Sequence, residues 1–281
     1  MTVPDRGRLA TFGLTLVGLA AALVAVSLST GVRMVALAPV YMFTPMVAGL
    51  LATLTSGLAP GTVGLRVGRR RWLAVAALLA LPLVGLTLAL SVAVPGIAFD
   101  PSADALPGIA LPGGVAGVLV TFGLVLALGT TVNAVFAFGE EFGWRGYLLW
   151  ELAPLGFWKA SGVIGALWGL WHAPIILDGY NFPSFPVLGV GVMVVACVAF
   201  SPLYTYVVLR AESVLAAALF HGVFNGSAGL VVVYAVTERP VLNELVASPV
   251  GLAGALAFGL ATAVVGVRGT PELTRGALGN G

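Results

Sequence analysis

Eight stretches of this chain carry no charged residue: 9–32, 34–65, 72–99, 105–139, 160–177, 179–209, 213–237 and 245–267. The shortest has 18 residues, and about 20 apolar residues span a bilayer as an α-helix. Hydrophobic residues make up 59% of the chain and charged residues 9%, against roughly 45–50% and about 25% in soluble domains. So few charges cannot coat the surface of a soluble core this long. A transmembrane β-barrel needs short segments that alternate polar and apolar residues, whereas these runs are apolar throughout. The expected fold class is all-α: a polytopic helical membrane protein with about eight transmembrane helices.

Orientation follows from the basic residues. With a cytoplasmic N-terminus, the inner ends carry ten of them: Arg6, Arg8, Arg66, Arg69, Arg70, Arg71, Lys159, Arg210, Arg268 and Arg275. The outer loops carry two, Arg33 and Arg239, and Arg145 lies inside a run and is not counted. The chain is therefore expected to be a multi-pass protein of the cell membrane with both termini cytoplasmic. Its net charge of +2 orients it against anionic headgroups and implies no nucleic-acid partner. The first run has 24 residues and no clear small-x-small cleavage site, so it reads as a retained helix rather than a signal peptide. Cys197 is the single cysteine, which leaves neither a disulfide framework nor a thiolate metal site.

No soluble domain is expected. The polar connections 56–72, 98–113 (with Asp100 and Asp104) and 237–247 (with Glu238, Arg239 and Glu244) are rich in Gly, Pro or charge and read as interhelical loops. The expected organisation is N-terminal transmembrane helices over 1–112, a core formed by the later helices over 113–237, and a last helix with a disordered cytoplasmic tail over 238–281. No internal repeat stands out, against transporter folds built on detectable repeats. Nothing in the sequence speaks to an oligomeric state.

The interior polar residues are few, and they cluster. Residues 139–148 read GEEFGWRGYL, with Glu140, Glu141 and Arg145 inside apolar surroundings. A helix running from near residue 120 to Leu152 places Glu140 about 11 residues, roughly 16 Å, above its cytoplasmic end. The only two histidines fall at similar depth: His172 follows Lys159 by 13 residues, roughly 20 Å, and His221 follows Arg210 by 11, roughly 16 Å. Charges at such depth cost roughly 2.5–3.5 kcal/mol even on insertion scales and usually mark a cavity or a site. Glu141 and Arg145 stand at i and i+4 and can form an intrahelical pair, while Glu140 points about 100° away. Trp168 precedes His172 by one turn, so the indole can pack beside the imidazole, and Pro174 loosens the helix just beyond. His221 and Asn225 share one helix face and can both donate to one oxygen.

These residues carry a resemblance. The chain is similar to the CPBP intramembrane proteases, which include the type II CAAX prenyl proteases and the Abi bacteriocin-immunity proteins. That family's pattern is EExxxR, then FxxxH, then HxxxN or HxxxD. Here the first is Glu140-Glu141-Phe-Gly-Trp-Arg145 and the third His221-Gly-Val-Phe-Asn225; in the second, Trp168 stands where the family has Phe before His172. The resemblance covers about 137–227.

It implies an intramembrane endopeptidase, open to the cytoplasmic side, that cleaves a membrane-associated peptide or protein by attack of water. The implied catalytic set is Glu140, Glu141, Arg145, His172, His221 and Asn225. Two schemes fit it. In one, Glu140 with His172 activates water, and His221 with Asn225 stabilises the oxyanion. In the other, Glu140, His172 and His221 hold zinc or another divalent metal, leaving a position for water. The competing class is a non-catalytic membrane protein of immunity or transporter type that uses the same polar layer for binding.

Overall fold

The computed structural model describes residues 3–102, 112 and 114–278; Asp104, expected in the second polar connection, lies outside them. The chain is all-α and polytopic, as its composition demands. Among the described residues six segments are long and apolar enough to cross a membrane, and Gly114–Thr130 and Leu252–Arg268 are shorter apolar helices.

Capping and proline chemistry set the boundaries. Helix α1 (Arg6–Thr30) starts where the Asp5 side chain accepts the Arg8 N–H at 2.9 Å and stops at Gly31, whose φ of 73° is left-handed. Prolines open the short α2 (Ala38–Tyr41) and α3 (Thr44–Thr55), where a missing N–H costs nothing. After α4 (Arg70–Val92) comes α5 (Gly114–Thr130). Helix α6 (Val132–Glu141) continues through a π-helix (Phe142–Leu148) into α7 (Leu149–Leu152). Helix α8 (Gly156–Trp171) stops before Pro174, and the short α9 (Ala173–Leu177) carries that proline in its first turn. Then follow α10 (Pro186–Ala211), α11 (Val214–Tyr234), a π-turn (Val241–Val246), α12 (Leu252–Arg268) and the short α13 (Arg275–Leu278).

Two expectations change. The helix anticipated from residue 120 to Leu152 divides at Thr131 (φ −115°, ψ −89°) into α5 and α6. The break lies where this segment crosses α11 at backbone contact: a Cβ on Gly222 would stand 2.3 Å from the Gly129 carbonyl oxygen. The expected disorder of the tail also fails over the described residues. Leu273 and Leu278 are buried, and Arg275 reaches the fully buried Glu151 at 2.8 Å. A buried carboxylate needs cationic partners, and the tail supplies one.

Contacts between loops sort them to two ends of the bundle. At one end Glu151 accepts from the Asp5 N–H at 2.6 Å and from Arg8 Nε at 2.7 Å, and Arg66 and Arg69 pair with Glu212. At the other, Arg33 meets Asp178, Glu244 holds Ser184, and β1 (Ala98–Phe99) pairs antiparallel with β2 (Ala235–Val236). The bundle between is turned inside out relative to a soluble protein. Leu14, Leu28 and Val187 are 75%, 82% and 78% exposed, while Glu141, Arg145 and Glu151 are 0% exposed. Such surface suits hydrocarbon, with the charges gathered where they neutralise one another.

The sidedness generates a prediction. With the termini cytoplasmic, a reporter fused after Val67 reads cytoplasmic, and fusions after Asn181 and Asn243 read external. A cytoplasmic signal at Asn181 would invert the orientation drawn from the basic residues.

Candidate active site

Glu140 and Glu141 end α6 immediately before the π-helix, both buried. The π-turn packs on α3 at backbone distance: a Cβ on Gly143 would sit 2.3 Å from the Pro45 carbonyl oxygen. Glycine there lets the polar turn lie deep among its neighbours. Because adjacent helical residues diverge by about 100°, the two carboxylates meet different partners. Glu140 Oε2 accepts the indole N–H of Trp168 at 2.7 Å. Glu141 Oε1 accepts from Arg145 Nη1 at 3.1 Å, which is the anticipated i, i+4 pair, and also meets His221 Nδ1 at 2.9 Å. The second contact joins residues 80 apart in sequence and is not encoded in any local spacing.

Trp168 is the point where these groups converge. Its N–H goes to Glu140, and its carbonyl oxygen meets His172 Nδ1 at 2.7 Å. Its ring face lies 4.2 Å from the Arg145 guanidinium centre, and its edge contact with His221 has a centroid separation of 5.4 Å. The expected packing beside His172 is present at 5.7 Å. A backbone carbonyl only accepts, so His172 carries its proton on Nδ1 and has a lone pair on Nε2. By the same logic the Glu141 carboxylate fixes Nδ1–H on His221. Tyr204, which no sequence motif singled out, stacks the other side of Arg145 at 4.6 Å. The available clue was the indole of Trp168 at a position where the family has a phenyl ring, since only the indole can donate.

Glu140, His172, His221 and Asn225 line one cavity of about 100 Å³, together with Tyr41, Trp171, Tyr180 and Asn181. Residues from α6, α8, α10 and α11 thus converge, with Tyr41 of α2 closing one wall through its hydroxyl, which donates to the Trp171 carbonyl at 2.7 Å. Tyr180, Asn181 and Val250 belong to the loops at the end of the bundle opposite the termini. The cavity thus lies toward the end of the bundle opposite the termini, so the cytoplasmic opening that the resemblance implied and the cytoplasmic termini that the basic residues implied exclude one another. The anticipated metal set of Glu140, His172 and His221 is not gathered into a ligand sphere. No group of three His, Cys, Asp or Glu side chains among the described residues is placed to hold an ion. The donors present therefore do not fit a metal in this arrangement.

Arg145 is the cation of this interior. Its Nε and Nη2 are buried without a hydrogen-bond partner among the described residues, so the Trp168 and Tyr204 ring faces take up the rest of its charge. Breaking a buried ion pair from one side costs roughly 3–5 kcal/mol. Arg145→Ala is accordingly expected to lower the yield and the unfolding midpoint in detergent sharply. Glu141→Gln, which keeps the shape and a hydrogen-bond acceptor, is expected to cost less. Equal stability of Arg145→Ala and the parent protein would show that the pair holds nothing together.

No curated protein matched the chain. The family model described as type II CAAX prenyl endopeptidase Rce1-like matches residues 118–227, a segment that contains all six side chains anticipated from the motifs. Over residues 118–227 the chain is therefore similar to the type II CAAX prenyl endopeptidases.

Proposed function

We propose that the protein is an intramembrane endopeptidase in which Glu140 is the general base for water. The observation that carries this reading is the Trp168 N–H on Glu140 Oε2 at 2.7 Å. That bond fixes one carboxylate oxygen and leaves Oε1 to the cavity shared with His172, His221 and Asn225.

The steps follow from the placement of donors and acceptors. Water bound between Glu140 and the His172 Nε2 lone pair attacks the scissile carbonyl carbon as Glu140 takes its proton. The carbonyl oxygen becomes an oxyanion, held by the Asn225 amide and by Nε2–H of a protonated His221 backed by Glu141. Glu140, Glu141, Arg145 and His221 then sum to zero charge, which suits a site walled from bulk water. On collapse the C–N bond breaks, the leaving nitrogen takes the proton from Glu140, and the carboxylate is restored. Glu141 and Arg145 orient His221 and touch no reacting atom. The substrate is a membrane-associated peptide or protein.

Membrane proteomics of a deletion strain tests the reading. Precursors that accumulate in the deletion should be cleared by the wild-type protein and not by Glu140→Gln, which should still insert and purify normally. On a precursor so found, Trp168→Phe keeps the aromatic contacts and loses only the donor. It should lower kcat about tenfold, the equivalent of roughly 1.4 kcal/mol, with KM little changed. Full clearance by Glu140→Gln would end the general-base role.

Metal removal separates this scheme from coordination. Chelator treatment is expected to leave cleavage unchanged, and the purified protein to carry far less than one equivalent of zinc. Stoichiometric zinc that departs together with activity, and restores it on return, would replace the metal-free scheme.

A further inference from the structure

A second cavity of about 400 Å³ adjoins the first and shares Tyr180, Asn181, Phe224, Asn225 and Val250 with it. Its outer part is formed by Asn243, Glu244 and Ser248 and by Ala228 and Gly229 of α11. Of its lining, the proposed chemistry uses Asn225 alone. Its rim is built firmly: Glu244, 8% exposed, accepts the Ser184 N–H at 2.9 Å and the Ser184 hydroxyl at 2.6 Å, tying the 182–185 loop to the π-turn. Asn181 adopts φ 59°, a left-handed conformation unusual outside glycine, at the junction of the two cavities. The side-chain amides of Asn225 and Asn243 make no hydrogen bond among the described residues. Two side-chain amides, Asn225 exposed and Asn243 half-buried, therefore line one passage formed by the adjoining cavities.

We infer that this passage is a binding site for the extended main chain of the substrate polypeptide, which reaches Glu140 from the end of the bundle opposite the termini. The inference rests on the endopeptidase reading for what happens at the inner end. A scissile segment must leave its helix, and each peptide group it exposes in a low-dielectric setting needs a partner. A carboxamide offers both donors and an acceptor, matching the N–H and C=O of a peptide group without reading its side chain. Asn225, at the inner end, holds the scissile carbonyl oxygen, and Asn243, at the outer end, would bind a peptide group farther along. Ala228 and Gly229 keep the α11 wall low enough for the chain to pass.

The test measures binding without turnover, in full-length Glu140→Gln protein in detergent. The probe is a short apolar peptide bearing a benzophenone side chain, paired with a depsipeptide in which one main-chain amide is an ester. Photocrosslinks are expected in 224–250, and the amide probe should bind about tenfold tighter than the ester, the worth of one good hydrogen bond. In Asn243→Leu that ratio should fall toward unity, a change that a merely loosened fold does not produce. Ala228→Trp, which narrows the passage from the helix side, should abolish crosslinking there. Crosslinks confined to other surfaces, no binding, or an amide-to-ester ratio that Asn243→Leu leaves unchanged would overturn the inference. Because the readout is binding, a failed general base shows only in the cleavage assay and leaves this result intact.

Discussion

The carboxylate of Glu141 is the constraint on which the rest of the interior depends. An unpaired carboxylate far from water is so costly that it must be neutralised by groups brought to it, and one oxygen of Glu141 takes both Arg145 and His221. Those two contacts tie the π-turn to α11. Arg145, still short of hydrogen bonds, requires the ring faces of Trp168 and Tyr204, which brings in α8 and α10. Once Trp168 lies over the guanidinium, its indole N–H points at Glu140 and its carbonyl at His172. The presentation of the Glu140 carboxylate and the His172 ring is thus a consequence of satisfying a buried charge one residue away. A site assembled in this way is rigid, because releasing any one partner strands another.

Much of this was legible in the chain, and the division between legible and illegible is physical. Charge-free runs reveal helices because a membrane tolerates little else, so the all-α fold and nearly every helix could be read directly. The convergence of Glu140, His172 and His221 was legible from depth alone, since three helices of known direction place them at similar height. Contacts between helices were not. The bond from His221 to Glu141 and the stacking of Tyr204 depend on how α11 and α10 rotate about their axes, which apolar runs with little amphipathic contrast do not encode. The break at Thr131 was hidden for a related reason. It answers the close crossing at Gly222, and a glycine in an apolar helix has an equally good reading as ordinary packing.

The two ends of the bundle solve different problems with the same device. At the end with the termini, Glu151 gathers the start of α1 and the C-terminal tail through Asp5, Arg8 and Arg275, while the carboxyl of Asp5 is held below its usual range by the Arg8 backbone N–H at the start of α1. This end is rich in arginine. At the other end Glu244 uses neutral partners, the Ser184 N–H and hydroxyl, and the loops it joins frame an opening. A carboxylate satisfied by arginines draws chain segments in over it; one satisfied by a serine leaves neighbouring amides unclaimed. The tail, expected to be loose on composition alone, is ordered because Glu151 has room for a second arginine.

Hydrolysis inside a bilayer, as proposed, would require that water and hydrocarbon both come close to one carbon without mixing, and the walls of the Glu140 cavity are built unequally in a way that suits that task. A long apolar cleft of about 780 Å³ runs along α1 and, among the described residues, shares Tyr41 and Trp171 with the cavity. These rings stack at 4.5 Å, the Tyr41 hydroxyl closes on the Trp171 carbonyl, and the Trp171 N–H on Thr44. Every polar group of the partition is therefore spent within it, so its cleft side presents hydrocarbon alone. Asn225 lines this cavity and the one adjoining it, which Asn243 lines in turn. A wall whose polar groups are satisfied internally is what lets the Glu140 carboxylate and the imidazoles of His172 and His221 lie so near an apolar cleft.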